Sequence, residues 1–237
     1  MTSTPGASQR WLPRAGRPRR PAQLDRATAE EIGGGIDPQT LGAIAHMTAD
    51  VVVRRGRASA DPDVLERLIT LVDREGIDAV AGLWADSPSN TLPGALWRMY
   101  QLRDWVRSSP RTFALHYRMG MDTAPVEHAV AGASEPPAPD DVVALADQVL
   151  AGVFAGELDV ALDRAAAFCR VVATGATHDA DSLDASGSAP DSHERRGTGL
   201  GNPAQAVRRI VSSARTLART AEDLQEAAAL WRTRRLD

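Results

Sequence analysis

Five histidines and one cysteine are the side chains of this chain best suited to hold a metal or carry a proton, and their spacing gives them little company. His46 and Asp50 stand four residues apart, the spacing of a surface pair on one helix. Glu127-His128 falls near a turn, while His178-Asp179 and His193 fall in a Ser-, Asp- and Gly-rich stretch that reads as a linker. A His-Asp dipeptide there has no apolar helix to hold a metal. Neither Glu-x-x-His nor His-Glu-x-x-His occurs, so no metal site is expected. Gly197-x-Gly-x-Gly201 precedes a helix as phosphate loops do, but without a preceding strand it reads as a flexible lead-in. Cys169 sits on an apolar stripe, where a buried, inert thiol is expected. No Gly-x-Ser-x-Gly elbow is present. No catalytic residue and no cofactor are expected.

All 27 basic residues are arginine. The absence of lysine removes a phosphate-loop lysine, a Schiff-base lysine and a lysine general base in any fold. A single cysteine excludes an intramolecular disulfide and a multi-cysteine zinc site. The N-terminus lacks the apolar core of a signal peptide, and no stretch approaches membrane-spanning length. These features predict a cytoplasmic protein that does not enter a membrane.

What remains is a block from Thr91 to Met121 that gathers Trp97, Tyr100, Trp105, Phe113 and Tyr117 around five arginines. Leu92, Ala95, Leu96, Met99, Leu102 and Val106 share one face of a helix over Leu92 to Ser108. Trp97 and Trp105 lie away from that face. A helix apolar on several sides belongs at the centre of a bundle, with Arg103 and Arg107 needing carboxylates from acidic neighbouring helices. The alternative is a surface for a protein partner built from Trp97, Arg98, Trp105 and Arg111. Ser109-Pro110 divides the block, and the short helix closing at Gly120 makes a helix-turn-helix outline over residues 92–119. Phe113, Leu115 and Tyr117 on that second helix suit apolar contacts better than base edges.

Residues 1 to 24 combine Pro, Gly, Ser and Arg without periodicity and read as a disordered arm. Its Arg10, Arg14, Arg17, Arg19 and Arg20 could neutralise phosphates of a nucleic acid. The plainer reading is a solvated tail whose arginines reflect genomic base composition. Basic segments alternate with acidic ones along the chain: residues 61 to 90 hold seven acids against two arginines, and residues 122 to 175 nine against two. Such alternation favours docking within the chain as readily as an anionic partner.

Start signals at Asp37-Pro38 and Asp61-Pro62, each followed by apolar residues at helical spacing, place two further helices before the block, and a short one is expected around Ile77 to Ala85. After the block, two helices separated by Gly156 form an antiparallel pair, the second capped by Gly175. The chain is therefore expected to be all-α, an irregular multi-helix bundle. Its parts are the arm (1–24), a helical domain (25–175), a flexible linker (176–202) and a long C-terminal helix (203–237). Val207, Ile210, Ala214, Leu217, Ala221, Leu224, Ala228 and Trp231 fit a and d positions of that last helix, with small or apolar flanks. It packs back on the domain or forms a homodimer.

The segment LPGALWRMYQLRDWVR, with GLWADSPSNT before it and AAAFCRVV after it, resembles an uncharacterised protein family of actinobacteria over roughly residues 60 to 175. The resemblance implies a source and a cytoplasmic location and brings no activity. The expectation is a non-enzymatic interaction or regulatory protein meeting a partner at the aromatic block or the terminal helix. A nucleic-acid-associated protein using the arm is the alternative, and an enzyme with a helical active site a third.

Overall fold

Every regular element among the described residues is a helix. The computed structural model describes residues 37–54, 81–133, 136–154, 157–187 and 203–237. The arm and its arginines, the helix expected after Asp61-Pro62, His193 and the Gly197–Gly201 pattern lie outside the described residues. The elements are α1 (Pro38–Arg54), a 3-10 turn (Gly82–Trp84), α2 (Leu92–Ser108), α3 (Pro110–Met121), α4 (Pro125–Ala131), α5 (Pro139–Phe154), α6 (Leu158–Gly187) and α7 (Pro203–Arg232). No described helix is long and apolar enough to cross a membrane.

Six of these seven helices carry proline in their first two positions, where the fixed φ suits a helix and the missing N–H has no partner to lose. At α2, Thr91 adds a side-chain cap, its Oγ1 accepting from Gly94 N at 3.2 Å. Helix α4 ends at Gly132, whose φ of 74° is left-handed and favours glycine.

Helix α6 is the central element, and α3, α4, α5 and α7 all pack on it. It runs to Gly187, correcting the expected cap at Gly175 and the expected linker from 176. The reason is tertiary. A Cβ on Gly175 would collide with the carbonyl oxygen of His116, and one on Gly120 with the carbonyl of Val171. These glycines let the backbones of α3 and α6 touch. His178 and Asp179, assigned to a linker by sequence, therefore sit inside a packed helix.

Helix α7 lies antiparallel along α6, with Arg170 bonded to Gln225 and Arg232 bridging Asp159 at 3.0 Å and Asp163. Its apolar stripe is used in this packing: Ala214, Leu217, Ala221, Leu224 and Ala228 are buried. The chain then turns back. Arg235 N donates to Leu230 O at 2.8 Å across a left-handed Arg234, Leu236 is buried, and Asp237 O accepts from Leu92 N at 2.6 Å. That last bond satisfies one of the amides left open at the start of α2.

Helix α2 packs against α1, α5 and α7 and buries the face expected of it, from Leu92 to Val106. Beside it, Trp84 is fully buried and donates from Nε1 to Thr48 Oγ1 at 3.0 Å, tying the 3-10 turn to α1. A buried indole needs such an acceptor.

Candidate functional site between helices α3 and α7

Helices α3 and α7 both rest on α6, and a valley of about 440 Å³ opens between them. One wall is a stripe of α3: Ser109, Thr112, Phe113 and His116. The other is a stripe of α7: Arg209, Ser212, Ser213 and Thr216, with Ile210 and Leu217 beside it. Both follow the i, i+3, i+4, i+7 spacing of one helical face. Val172 of α6 contributes to the floor, and Trp105 and Ser108 close the end nearest α2.

Each wall is anchored to α6 by its own contacts. On one side of α6, His116 faces Asp179 and Gly120 meets Gly175. On the other, Arg170 faces Gln225 and Asp163 faces Arg232. Phe113 and Tyr117 of α3 also pack on Phe168 of α6, with ring centres 6.3 and 5.4 Å apart. Arg209 lines the valley from α7, and the first turn of α3 that borders it has amides at Arg111 and Thr112 with no intrahelical acceptor. Ser109 supplies no side-chain cap to them.

His116 is only 6% exposed and its Nε2 lies 3.1 Å from Asp179 Oδ2. An ionised carboxylate can only accept, so Nε2 carries the proton. No hydrogen bond from a described residue holds Nδ1. Among the described residues no buried side-chain polar atom lacks a partner, and His116 is one of the residues that line the valley.

The residues singled out from sequence fall in different surroundings. Arg98 is ion-paired at 2.7 Å with Asp223 of α7 and also donates to Gly94 O. Trp97 is half-buried and stacks on Tyr100 with ring centres 5.7 Å apart. Trp105 is half-buried at the valley, and Arg111 is exposed beside it without a hydrogen bond or ion pair among the described residues. Arg103 and Arg107 both grip Asp147 of α5, each at 2.7 Å, as the acidic neighbouring helices predict. Burial works to raise the Asp147 pKa, but the hydrogen bonds from Arg107 and Arg103, with their charges, outweigh it and hold the carboxyl below its usual range.

The other histidines among the described residues bond within the fold. His46 bonds the Gly42 carbonyl at 2.8 Å, His128 the buried Tyr117 hydroxyl at 2.9 Å, and His178 the Met119 carbonyl at 3.1 Å. No group of three or more metal-ligating side chains comes together among the described residues. Cys169 is fully buried, and burial pushes its thiol up to about 12 despite the charge of Arg170.

Sequence reasoning missed the His116–Asp179 pair, which joins residues 63 apart in the chain. The available signal was Ala176, Ala180 and Leu183, which extend the α6 stripe past Gly175 at helical spacing. It also missed the polar stripe from Arg209 to Thr216, because attention to apolar a and d positions hides a second periodic face. The class defined by these elements is an all-α bundle with a polar-walled valley on its central helix. No family model, curated protein or solved structure matches the chain.

Proposed function

We propose that this is a non-enzymatic interaction protein whose partner is an acidic protein surface, met by the outer face of α7 and the adjoining first turn of α3. One observation carries the reading. Between Pro203 and Ala221, helix α7 has four arginines and no acid. Arg208, Arg215 and Arg219 are exposed and make no hydrogen bond or ion pair among the described residues, and Arg111 is in the same condition on α3. Elsewhere the arginines of the block and of α7 are engaged: Arg98, Arg103, Arg107 and Arg232 by acids and Arg118 by the Pro137 carbonyl. A basic face left open where the chain otherwise neutralises its arginines steers an anionic partner.

A protein partner is favoured over a nucleic acid because Trp105 and Arg111 adjoin this face, and tryptophan with arginine dominates protein interfaces. Helix α3 leaves Arg111 as its open arginine for base or phosphate contacts, which weighs against its use as a recognition helix.

The test compares the full chain with a triple variant, R208E/R215E/R219E, as baits in extract of the native cell, washed at increasing salt with and without nuclease. A protein retained by the parent, released at elevated salt and absent from the variant supports the reading. Equal retention by both baits overturns it. So does retained material that nuclease removes, which would instead favour the nucleic-acid alternative.

A further inference from the structure

We infer that the acidic surface met by α7 belongs to a second copy of this chain. The two α7 helices lie antiparallel across a two-fold axis, Arg215 pairing with the partner's Glu226 and Arg219 with the partner's Glu222. This rests on the reading above, that the arginine face of α7 meets an acidic protein surface.

The apolar stripe of α7 is buried on α6, so the opposite face is the one a second copy can reach. Along that face Ser212, Arg215, Arg219, Glu222, Glu226 and Ala229 follow one another at alternating steps of three and four, the spacing of a seam between two helices. Every one of them is exposed. Arg215, Arg219, Glu222 and Glu226 make no hydrogen bond or ion pair among the described residues. Pairing within the helix is a poor alternative, because here the arginines precede the acids, the weaker of the two orders. Asp223, the acid four residues after Arg219, is already held by Arg98.

The order of the charges selects the arrangement. A parallel pair would set Arg215 on the partner's Arg215 and Glu222 on the partner's Glu222, like charge on like. An antiparallel pair with its axis between residues 220 and 221 sets Arg215 on the partner's Glu226, Arg219 on the partner's Glu222 and Ser212 on the partner's Ala229. Each contact then occurs twice, as an isologous interface requires. Under that one operation the stripe is complementary to itself, with opposite charges in the middle and small residues at both ends, where the helices can approach closely. From Ser212 to Ala229 the seam is about 25 Å long. One helix pair of that length buries less than the roughly 800 Å² per partner of a standard interface, so the dimer is weak and populated at high concentration. Its ion pairs also make it sensitive to salt.

The test is sedimentation of the full chain from about 10 μM to about 1 mM, at low and at high salt. The parent should form dimers that dissociate as salt rises. R215E/R219E and E222R/E226R each leave one sign of charge at the paired positions and should weaken self-association by at least about tenfold. The fourfold variant R215E/R219E/E222R/E226R regains complementarity and should regain the dimer, and the two double variants mixed should associate with each other. A parent that stays monomeric to about 1 mM at low salt overturns the inference. So does self-association that both double variants retain, or a fourfold variant that is folded by circular dichroism and monomeric. If the parent is monomeric while it still retains from extract a protein that the R208E/R215E/R219E bait loses, the arginine-face reading stands and the second copy alone is excluded.

Discussion

The carbonyl oxygen of His116 occupies the space where a side chain at Gly175 would begin. Taken alone, Gly175→Ala in the interior of a long helix should stabilise by about 1 kcal/mol. The clash is with backbone atoms of another helix, which cannot rotate away, and overpacking of this kind costs about 1–3 kcal/mol. Gly175→Ala is therefore expected to destabilise, to shift the urea midpoint downward and to disturb the His116 ring environment. A rise in midpoint would show that α3 and α6 are not in backbone contact.

The two arginines on Asp147 give a pH dependence with a definite sign. The folded pKa is depressed below the ordinary value of 3.8, so the stabilisation is fully present above about pH 4 and is lost as pH falls through the folded value. The Asp147 side chain is 37% exposed, which limits the contribution to no more than about 1 kcal/mol. Asp147→Asn should lower stability at pH 7 by that amount and leave a smaller difference from the parent near pH 2, measured by urea unfolding at both values.

Thr48 supports Trp84, the largest fully buried side chain among the described residues. Its hydroxyl accepts from Trp84 Nε1 while donating to the carbonyls of Ile44 and Ala45. Thr48→Val preserves shape and leaves the indole N–H without an acceptor, at a cost of about 1–3 kcal/mol. Thr48→Ser should retain most of that stability, since the oxygen remains. Thermal unfolding of both variants checks the contrast.

Cys169 combines full burial with a thiol pushed up to about 12. The reactive species is the thiolate. A thiol reagent at pH 8 should leave the native chain unmodified for hours and label it promptly in denaturant. Rapid labelling of the folded chain would contradict the packing of α6.

Arg234 is the sole non-glycine residue with positive φ among those described, at 55°. It occupies the position after α7 that usually takes glycine, with Arg235 N closing back on Leu230 O. A side chain in this conformation costs about 1–2 kcal/mol, so Arg234→Gly should stabilise by up to about 1 kcal/mol after the added freedom of the unfolded chain. Its thermal midpoint should rise.

Local chemistry determined a good deal of this protein from the sequence alone. Proline starts and apolar stripes are short-range signals, so α2, α3 and α5 and the buried face from Leu92 to Val106 were legible. So was the need of Arg103 and Arg107 for an acid on a neighbouring helix, because a charge in an apolar arc must be answered. The inert surroundings of Cys169 followed from its stripe for the same reason.

What only the tertiary structure decided are the relations set by which helices touch. Glycine at 175 reads as a stop when just its own helix is considered, and as a contact point once α3 arrives against it. That one ambiguity hid the outer part of α6, and with it the carboxylate that holds His116. The partner of Arg98 came from Asp223, 125 residues away, because burial of the α7 stripe on α6 sets the rotation of α7. The same rotation turns Arg209, Ser212, Ser213 and Thr216 toward Ser109 and His116. Sequence periodicity gives each helix a face. The directions in which those faces point depend on the sum of the packing contacts, and that sum alone opens the valley.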